Sequence, residues 1–168
     1  MIIKGKAWKF GDDISTDHIA PGRYYHLRAN LEEFAKHVLE DGDPEFPKAV
    51  QEKKEIYIVV GGKNFGQGSS REHAPRIIKI AGVPAVIAKS FARIFYRNSI
   101  NVGLPVLIAD TDKIDHGDEL EVDLKKGEIK NLTKGIVIKT SPIPDVMLKI
   151  LEEGGIVPYI KKHGDIVF

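Results

Sequence analysis

The sequence predicts an α/β fold with a mainly parallel central sheet and additional antiparallel β structure in the C-terminal half. Between residues 55 and 110, short apolar runs alternate with stretches of helical periodicity, as in strands joined by crossover helices. From Asp118 onward, apolar and charged residues alternate, as in antiparallel strands with one face toward solvent. We find no linker or internal repeat in the 168 residues and therefore expect one domain over residues 1–168.

The composition excludes several classes of protein. With 42% hydrophobic and 29% charged residues, the chain is not expected to be disordered. A net charge of +1 gives no general attraction to nucleic acid or to an anionic membrane. The apolar runs are far shorter than the roughly 18 residues of a membrane span, and no signal peptide is visible. We therefore expect a cytoplasmic protein with neither nucleic acid nor membrane as a partner.

The absence of cysteine restricts the chemistry that this chain can perform alone. It excludes disulfides, a thiolate nucleophile, a cysteine-type zinc site and an iron–sulfur cluster bound through this chain's own thiolates. Any such cluster would have to be held by a partner.

The N-terminal part predicts a strand followed by a polar segment and a helix. Residues 2–10 form an apolar run with polar interruptions, typical of a strand. Asn30 and Glu33 have the spacing of a capping box, which predicts a helix start. One apolar stripe then extends to Leu39, and Asp41-Gly42-Asp43-Pro44 ends the helix.

The remaining elements follow from the same periodicities. We predict strands over residues 56–60, 84–88 and 104–108, with helices ending near residue 81 and spanning residues 91–102. Alternation at residues 120–124 and 136–138 predicts antiparallel strands around a turn at residues 125–127. A last sizeable helix is expected over residues 145–153, followed by a short turn within residues 157–162.

The glycine-rich loop over residues 61–68 is the most informative segment. It leaves a predicted buried strand and is followed by Ser69, Ser70, Arg71 and Glu72. The spacing fits neither a P-loop nor a dinucleotide-binding fingerprint. Backbone amides with two hydroxyls and a guanidinium would suit a carboxylate. The alternative is structural, because Ser69 and Glu72 also have capping-box spacing, so Ser69 could simply start a helix.

Two further segments before the first predicted helix could carry function. The acids and His18 in residues 12–18 could bind metal, but the segment lacks the ligand number of a calcium loop, and a solvated Asx-rich turn is the alternative. Residues 21–28 combine arginine with aromatic residues, which fits a binding surface or a closing loop. The alternative there is an ordinary surface loop whose tyrosines lie on the core.

The segment over residues 90–98 predicts a helix with two distinct faces. Phe91, Ile94 and Phe95 are expected to form a core stripe. Arg93 and Arg97 lie four residues apart on another face, and the helix offers them no acidic partner. They could bind an external acid on a protein or a substrate, or they could simply be solvated.

Three of these motifs, in this order along the chain, resemble one family. They are Lys9-Phe10-Gly11-Asp12-Asp13-Ile14-Ser15-Thr16-Asp17, Gly62-Lys63-Asn64-Phe65-Gly66-Gln67-Gly68-Ser69-Ser70-Arg71-Glu72 and Ser90-Phe91-Ala92-Arg93-Ile94-Phe95-Tyr96-Arg97-Asn98. The chain resembles the small subunits of 3-isopropylmalate dehydratase, which correspond to the swivelling fourth domain of aconitase. The resemblance implies a single swivelling β/β/α domain like aconitase domain 4.

The resemblance also implies an activity and its residues. It implies a hydro-lyase in which a [4Fe–4S] cluster in the large subunit acts as a Lewis acid on a small di- or tricarboxylic acid. By motif, Ser69 would be the base, and Ser70 and Arg71 would bind a substrate carboxylate. Asp17, with Thr16 and His18 beside it, would belong to the active-site network. A serine alkoxide needs nearby donors and positive charge, and Gly66, Gly68 and Arg71 are expected to supply them.

The resemblance leaves the substrate open. The small free-standing chain is typical of 3-isopropylmalate dehydratase, which interconverts 2-isopropylmalate and 3-isopropylmalate in leucine biosynthesis. Arg28 occupies the place at which an arginine in this family favours a third carboxylate, as in aconitase and homoaconitase. A homoaconitase-type small subunit is therefore the alternative. In a different class, the chain could be a stand-alone carboxylate-binding module.

Overall fold

The central sheet of the computed structural model, which describes residues 1–68 and 73–164, has both parallel and antiparallel strands. The seven strands are β1 (Ile2–Lys9), β2 (Tyr57–Val60), β3 (Val86–Ala88), β4 (Val106–Ile108), β5 (Glu119–Asp123), β6 (Glu128–Asn131) and β7 (Ile136–Lys139). Their order is β4-β3-β2-β1-β5-β6-β7. The first four strands are parallel, whereas β5, β6 and β7 pair antiparallel. This confirms the predicted α/β class.

The helices are short and mostly connect the strands. They are α1 (Thr16–Ile19), α2 (Leu31–Ala35), α3 (Glu45–Glu52), α4 (His73–Ile80), α5 (Arg93–Asn101), α6 (Asp145–Glu152) and α7 (Ile156–His163). Within the described residues, no helix has the length and apolar character that crossing a bilayer requires. Helices α4 and α5 are the crossovers from β2 to β3 and from β3 to β4, as the alternating pattern predicts.

Both faces of β2 and β3, in the middle of the parallel strands, are buried. Val59 and Val86 belong to a core that includes helical residues, whereas Ile58 and Ile87 belong to a second core shared with the antiparallel strands. Successive residues of a strand point to opposite faces, so a strand buried on both sides is apolar throughout. This burial explains why the strand segments read as continuous apolar runs.

The sheet curls so that its two ends approach each other. Strands β4 and β7 lie at opposite ends of the strand order. Nevertheless, the backbone N–H of Ser141, just after β7, donates to the carbonyl oxygen of Ile108 in β4 at 2.9 Å. Leu107 of β4 and Ile138 of β7 also belong to the same core. The antiparallel half therefore covers one face of the parallel half.

The main difference from the predicted elements lies after α2. Asn30 caps this helix as predicted, since its side chain accepts a hydrogen bond from the backbone N–H of Glu33. However, α2 ends at Ala35 rather than near Leu39. Leu39 has a φ of 55° and donates its N–H to Ile19, outside the helix. The apolar stripe is thus buried by a series of turns, and the sequence did not predict α3.

Candidate functional site

The segments singled out in the sequence meet at the carboxyl edge of the parallel strands. The glycine-rich loop follows β2, residues 11–16 follow β1, and residues 89–92 follow β3. Because these three strands are parallel neighbours, the segments that follow them emerge side by side. Ligands of open α/β sheets bind at this edge. The topology therefore places the glycine-rich loop between two flanking segments.

The first flanking segment is bound to the loop through its backbone. The N–H of Gly66 donates to the carbonyl of Ile14 at 2.6 Å, and the N–H of Thr16 donates to the carbonyl of Gln67 at 2.8 Å. Asp12 adds a side-chain contact, since its Oδ1 accepts a hydrogen bond of 2.8 Å from the backbone N–H of Lys63. The start of α1 is thereby held against the end of the loop.

The second flanking segment holds the other side of the loop. The N–H of Phe65 donates to the carbonyl of Ser90, and the N–H of Ala92 donates to the carbonyl of Phe65, both at 3.0 Å. The Ser90 hydroxyl also accepts a hydrogen bond of 2.8 Å from the N–H of Asn64. The loop is therefore fixed on both sides before it reaches Ser69.

Close packing explains the glycines of this loop. Gly66 has a φ of 85°, and a Cβ atom there would overlap the ring of Phe95. Gly68 has a φ of 112°, and its Cβ would lie 3.0 Å from Oγ1 of Thr16. The expectation that Gly66 helps to stabilise an alkoxide is wrong for its amide, because that N–H is donated to Ile14.

Helix α1 presents the residues predicted for the active-site network. Thr16 is 3% exposed, whereas Asp17 is exposed and His18 is half-buried. Ser15 caps the helix, and its backbone N–H donates to Nδ1 of His18 at 2.8 Å. An accepting Nδ1 assigns the proton of the neutral ring to Nε2. Thr16 lies against Gly68, which directly precedes Ser69 in the sequence.

The acids of residues 12–18 take part in loop contacts. Asp12 binds the N–H of Lys63, and Oδ1 of Asp13 accepts a hydrogen bond of 3.3 Å from the Asn64 amide. Among residues 1–68 and 73–164, no group of three or more His, Asp or Glu side chains is placed to hold a metal ion. The contacts of Asp12 and Asp13 join this segment to the glycine-rich loop and are not the local hydrogen bonds of an Asx turn.

Residues 22–27 form a 3₁₀ segment that is fastened to the turns after α2. The guanidinium of Arg23 donates to Asp41 at 2.7 and 2.8 Å and to Glu40 at 2.8 Å. The ring of Tyr24 stacks on that of His37 at 3.7 Å. Burial raises the pKa of the Glu40 carboxyl, but hydrogen bonds with Tyr24, His37 and Arg23 outweigh burial and lower it.

The same segment carries the predicted substrate-reading residue. Arg28 is exposed, and its Nη1 donates to the carbonyl oxygen of Tyr25 at 3.1 Å. The ring of Tyr25 lies 5.9 Å from that of His73, the first residue of α4. Through Tyr25, residues 21–28 therefore contact the start of α4.

Ser69, Ser70 and Arg71, predicted as base and carboxylate-binding residues, lie outside the described residues. The residues before and after these positions are described. Gly68 is exposed, and His73 begins α4 with its ring stacked against Phe34. Nδ1 of His73 is buried and has no hydrogen-bond partner among residues 1–68 and 73–164. The sequence analysis assigned His73 no role, although its position directly after the motif that ends at Glu72 could have marked it as a candidate site residue.

Helix α5 forms the wall beside the loop. Phe65 packs edge-on against Phe91 and Phe95, with ring centroids 5.9 and 5.5 Å apart. The prediction that Ile94 belongs to this core stripe is wrong, because Ile94 is 48% exposed. It follows Arg93 and faces solvent with Arg93 and Arg97, which are both exposed.

Comparisons with known proteins agree with this arrangement. The aconitase C-terminal domain family matches residues 21–111, which is more than half of the chain. A 3-isopropylmalate dehydratase small subunit of Archaeoglobus fulgidus is 72% identical, covering 99% of each chain. A 3-isopropylmalate dehydratase small subunit of Thermotoga maritima is 65% identical, covering 97% of each chain.

A solved structure has the same fold. The crystal structure of a 3-isopropylmalate dehydratase from Methanocaldococcus jannaschii superposes with a TM-score of 0.90 at 51% identity. The match covers 98% of this chain and 96% of that chain. These findings confirm the resemblance inferred from the motifs. The chain therefore belongs to the aconitase C-terminal domain family, within which its full-length relatives are small subunits of 3-isopropylmalate dehydratase.

Proposed function

We propose that this chain is the small subunit of a 3-isopropylmalate dehydratase, a hydro-lyase that interconverts 2-isopropylmalate and 3-isopropylmalate in leucine biosynthesis. The observation that carries the proposal is the 72% identity with such a small subunit over 99% of both chains. The enzyme is active only with its large subunit, and we propose the cytoplasm as its compartment.

The proposed chemistry of this chain is proton transfer. Ser69, as an alkoxide, takes a proton from the carbon next to the one that bears the hydroxyl group. The hydroxyl leaves from its own carbon, a double bond forms, and addition of water in the opposite sense gives the isomer. Ser70 and Arg71 bind a carboxylate of the substrate, since a guanidinium can bind a carboxylate through two hydrogen bonds.

The geometry of the described residues supports this assignment. The loop is bonded on both sides up to Gln67, so Ser69 follows a backbone whose position is strongly constrained. Buried Thr16 packs against Gly68, and Asp17 and His18 follow on α1. Catalytic groups held on a rigid backbone need less reorganisation during the reaction.

The iron–sulfur cluster that the family implies does not fit the residues of this chain. The chain has no cysteine, and thiolates are the usual ligands of such clusters. We therefore propose that the large subunit holds the cluster and that this chain contributes proton transfer and carboxylate binding.

A relative's name supports a second substrate. The small subunit of an isopropylmalate/citramalate isomerase from Methanocaldococcus jannaschii is 56% identical, covering 96% of this chain and 95% of that relative. Citramalate carries a methyl group where isopropylmalate carries a larger apolar group, so one pocket could accept both. The homoaconitase alternative instead depends on Arg28 reading a third carboxylate.

Reconstitution tests the proposal. The purified chain, the large subunit and their mixture are each assayed with 2-isopropylmalate, 3-isopropylmalate, citramalate and homocitrate. We expect activity only in the mixture, with the highest kcat/KM for the isopropylmalates. A preference for homocitrate would support the homoaconitase alternative. An inactive mixture, together with tight binding of citrate-like acids to this chain alone, would support the stand-alone module and contradict the proposed function.

A further inference from the structure

The exposed face of α5 combines two positive charges with a large apolar side chain. Arg93 and Arg97 are exposed and lie four residues apart, which places them on one side of the helix. Ile94 lies next to Arg93, three residues before Arg97, and is 48% exposed. We call these three residues the α5 surface.

The α5 surface has no evident role within the chain. Neither guanidinium forms an ion pair or hydrogen bond with any of residues 1–68 and 73–164, and α5 contains no acidic residue. Two like charges four residues apart destabilise a helix. Arg93 also lies in the first turn, where the helix dipole disfavours a positive charge. Inside this chain, the two charges therefore cost stability.

The α5 surface is continuous with the candidate site. The backbone of Ala92, directly before Arg93, is bonded to Phe65 of the glycine-rich loop. Gly66 packs so closely on Phe95 that a Cβ would overlap its ring. A protein that closes over the end of this loop is therefore expected to reach the first two turns of α5 as well.

We infer that the α5 surface docks the large subunit, with Arg93 and Arg97 binding carboxylates of an acidic patch around an apolar contact to Ile94. The inference rests on the proposed function. Arginine is enriched at the core of protein interfaces, where it combines charge with packing surface. An exposed helix face is convex, whereas small-molecule sites are concave, and this favours a protein over the substrate as the occupant.

Binding of charge-reversal variants to the large subunit tests the inference. We expect R93E/R97E to raise the Kd by about tenfold or more, because like charges would then face each other. The matched control is K125E/K126E, which changes the net charge equally. These lysines lie in the β5–β6 turn beside the start of β1, at the opposite edge of the sheet from the loop. The control is expected to bind like the wild type.

Ionic strength provides a second readout. Charge attraction is screened by salt, with a Debye length of about 30 Å at 0.01 M and about 3 Å at 1 M. The difference in Kd between the wild type and R93E/R97E is therefore expected to shrink as salt is raised. R93Q/R97Q removes the like-charge repulsion within α5 and is expected to be at least as stable as the wild type. It serves as the second variant if R93E/R97E does not fold.

An activity titration separates docking from substrate binding. With excess small subunit, the arginine variants are expected to reach the wild-type kcat and KM, while needing more subunit for half-maximal activity. A raised KM at saturating subunit would mean that the arginines read the substrate and would overturn the inference. If the wild-type pair assembles and both arginine variants bind the large subunit with the wild-type Kd, the inference is overturned and the proposed function stands. Failure of the wild-type pair to assemble would overturn the proposed function as well.

Discussion

Gly66 shows how a single residue determines the course of the glycine-rich loop. Its positive φ is one that residues with a Cβ rarely adopt, and its α-carbon packs directly on Phe95. Its N–H is also bonded to Ile14. Conformation and packing therefore both select glycine at this position, before any role in binding a substrate is considered, and the N–H bond to Ile14 fixes the loop.

Three glycine-to-alanine variants separate these effects. We expect Gly66→Ala to lower the free energy of unfolding by about 3 kcal/mol or more, because it adds both overpacking and backbone strain. Gly82 has a φ of 94° and open space around it, so Gly82→Ala should lower the free energy of unfolding by only about 1 kcal/mol. Gly22 has neither constraint, so Gly22→Ala should change the free energy of unfolding by less than about 0.5 kcal/mol. Urea denaturation measures all three, and equal losses would contradict the packing argument.

Ser69 carries the catalytic prediction. We expect Ser69→Ala to lower kcat by about 10²–10⁴-fold, the usual contribution of a positioned base, with assembly unchanged. The matched control is Ser99→Ala, since the Ser99 hydroxyl is buried in α5 without a partner among the described residues. Steady-state kinetics of the reconstituted enzyme provide the measurement. Near-normal activity of Ser69→Ala would remove this serine from the mechanism.

Arg28 carries the specificity prediction. If its guanidinium reads a third carboxylate, Arg28→Val should shift the kcat/KM ratio toward 2-isopropylmalate over homocitrate by about tenfold or more, because a charge-assisted hydrogen bond is lost. Arg28→Lys keeps the charge and is the control. An unchanged ratio would leave Arg28 as an exposed residue whose only hydrogen bond within the described part of the chain is to the carbonyl of Tyr25.

At the scale of elements, strands were easier to predict than the ends of helices. The run at residues 56–60 predicted β2 because burial on both faces selects apolar residues. The apolar stripe to Leu39 predicted a longer α2, because apolar residues buried by turns can have the same spacing as apolar residues buried on one face of a helix. After Ala35 the chain continues in turns, and Leu39 then donates its N–H to Ile19, which is distant in sequence.

Asp118 joins β6 to the turn before β5. This side chain is 5% exposed, and its Oδ2 accepts hydrogen bonds of 2.8 Å from the backbone of Asp115 and the amide of Asn131. Burial works to raise the pKa of Asp118, but these hydrogen bonds and the charge of Lys134 outweigh burial and lower it. The ionised form is therefore the one that the fold stabilises.

The direction of this shift predicts how stability depends on pH. A carboxyl with a lowered pKa stabilises the fold above its unfolded pKa of about 3.9, and this contribution is lost as the pH falls through the lower folded value. Asp118→Asn should therefore lower the free energy of unfolding at pH 7 and flatten its decline in acid. Urea denaturation from pH 7 to about pH 3 measures this, with exposed Glu32→Gln as control. A parallel decline in wild type and Asp118→Asn would contradict it.

At the scale of the whole molecule, the two halves of the sheet differ in what they contribute. The parallel strands bring the glycine-rich loop and its two flanking segments to one edge. The antiparallel strands curl over one face of the parallel strands and share a core with them. The candidate site therefore lies at one edge of the molecule, where a large partner can reach it.

Hydrogen exchange tests this division. When the large subunit binds, we expect slower exchange in peptides covering residues 61–68 and 89–97, because both lie at the carboxyl edge of the parallel strands. Peptides covering the turn at residues 124–127 should be unchanged, since that turn lies at the opposite edge. Mass spectrometry of the complex against the free chain provides the measurement. Protection at the turn instead would place the partner on the other side of the sheet.

The sequence alone determined the α/β class, the strand–helix alternation and the segments with chemical potential. These properties are local, because periodicity, glycine content and capping residues depend on neighbours along the chain. The missing cysteines likewise follow from the sequence and restrict what the chain can bind by itself.

Only the tertiary structure decided what those segments do to one another. It brought Thr16 against Gly68, directed the amide of Gly66 to Ile14, and turned Ile94 toward solvent. It also brought Ser141 to Ile108 across the curled sheet. These contacts join residues distant in the chain, and their geometry depends on strand order and sheet curvature, which local residue patterns do not encode.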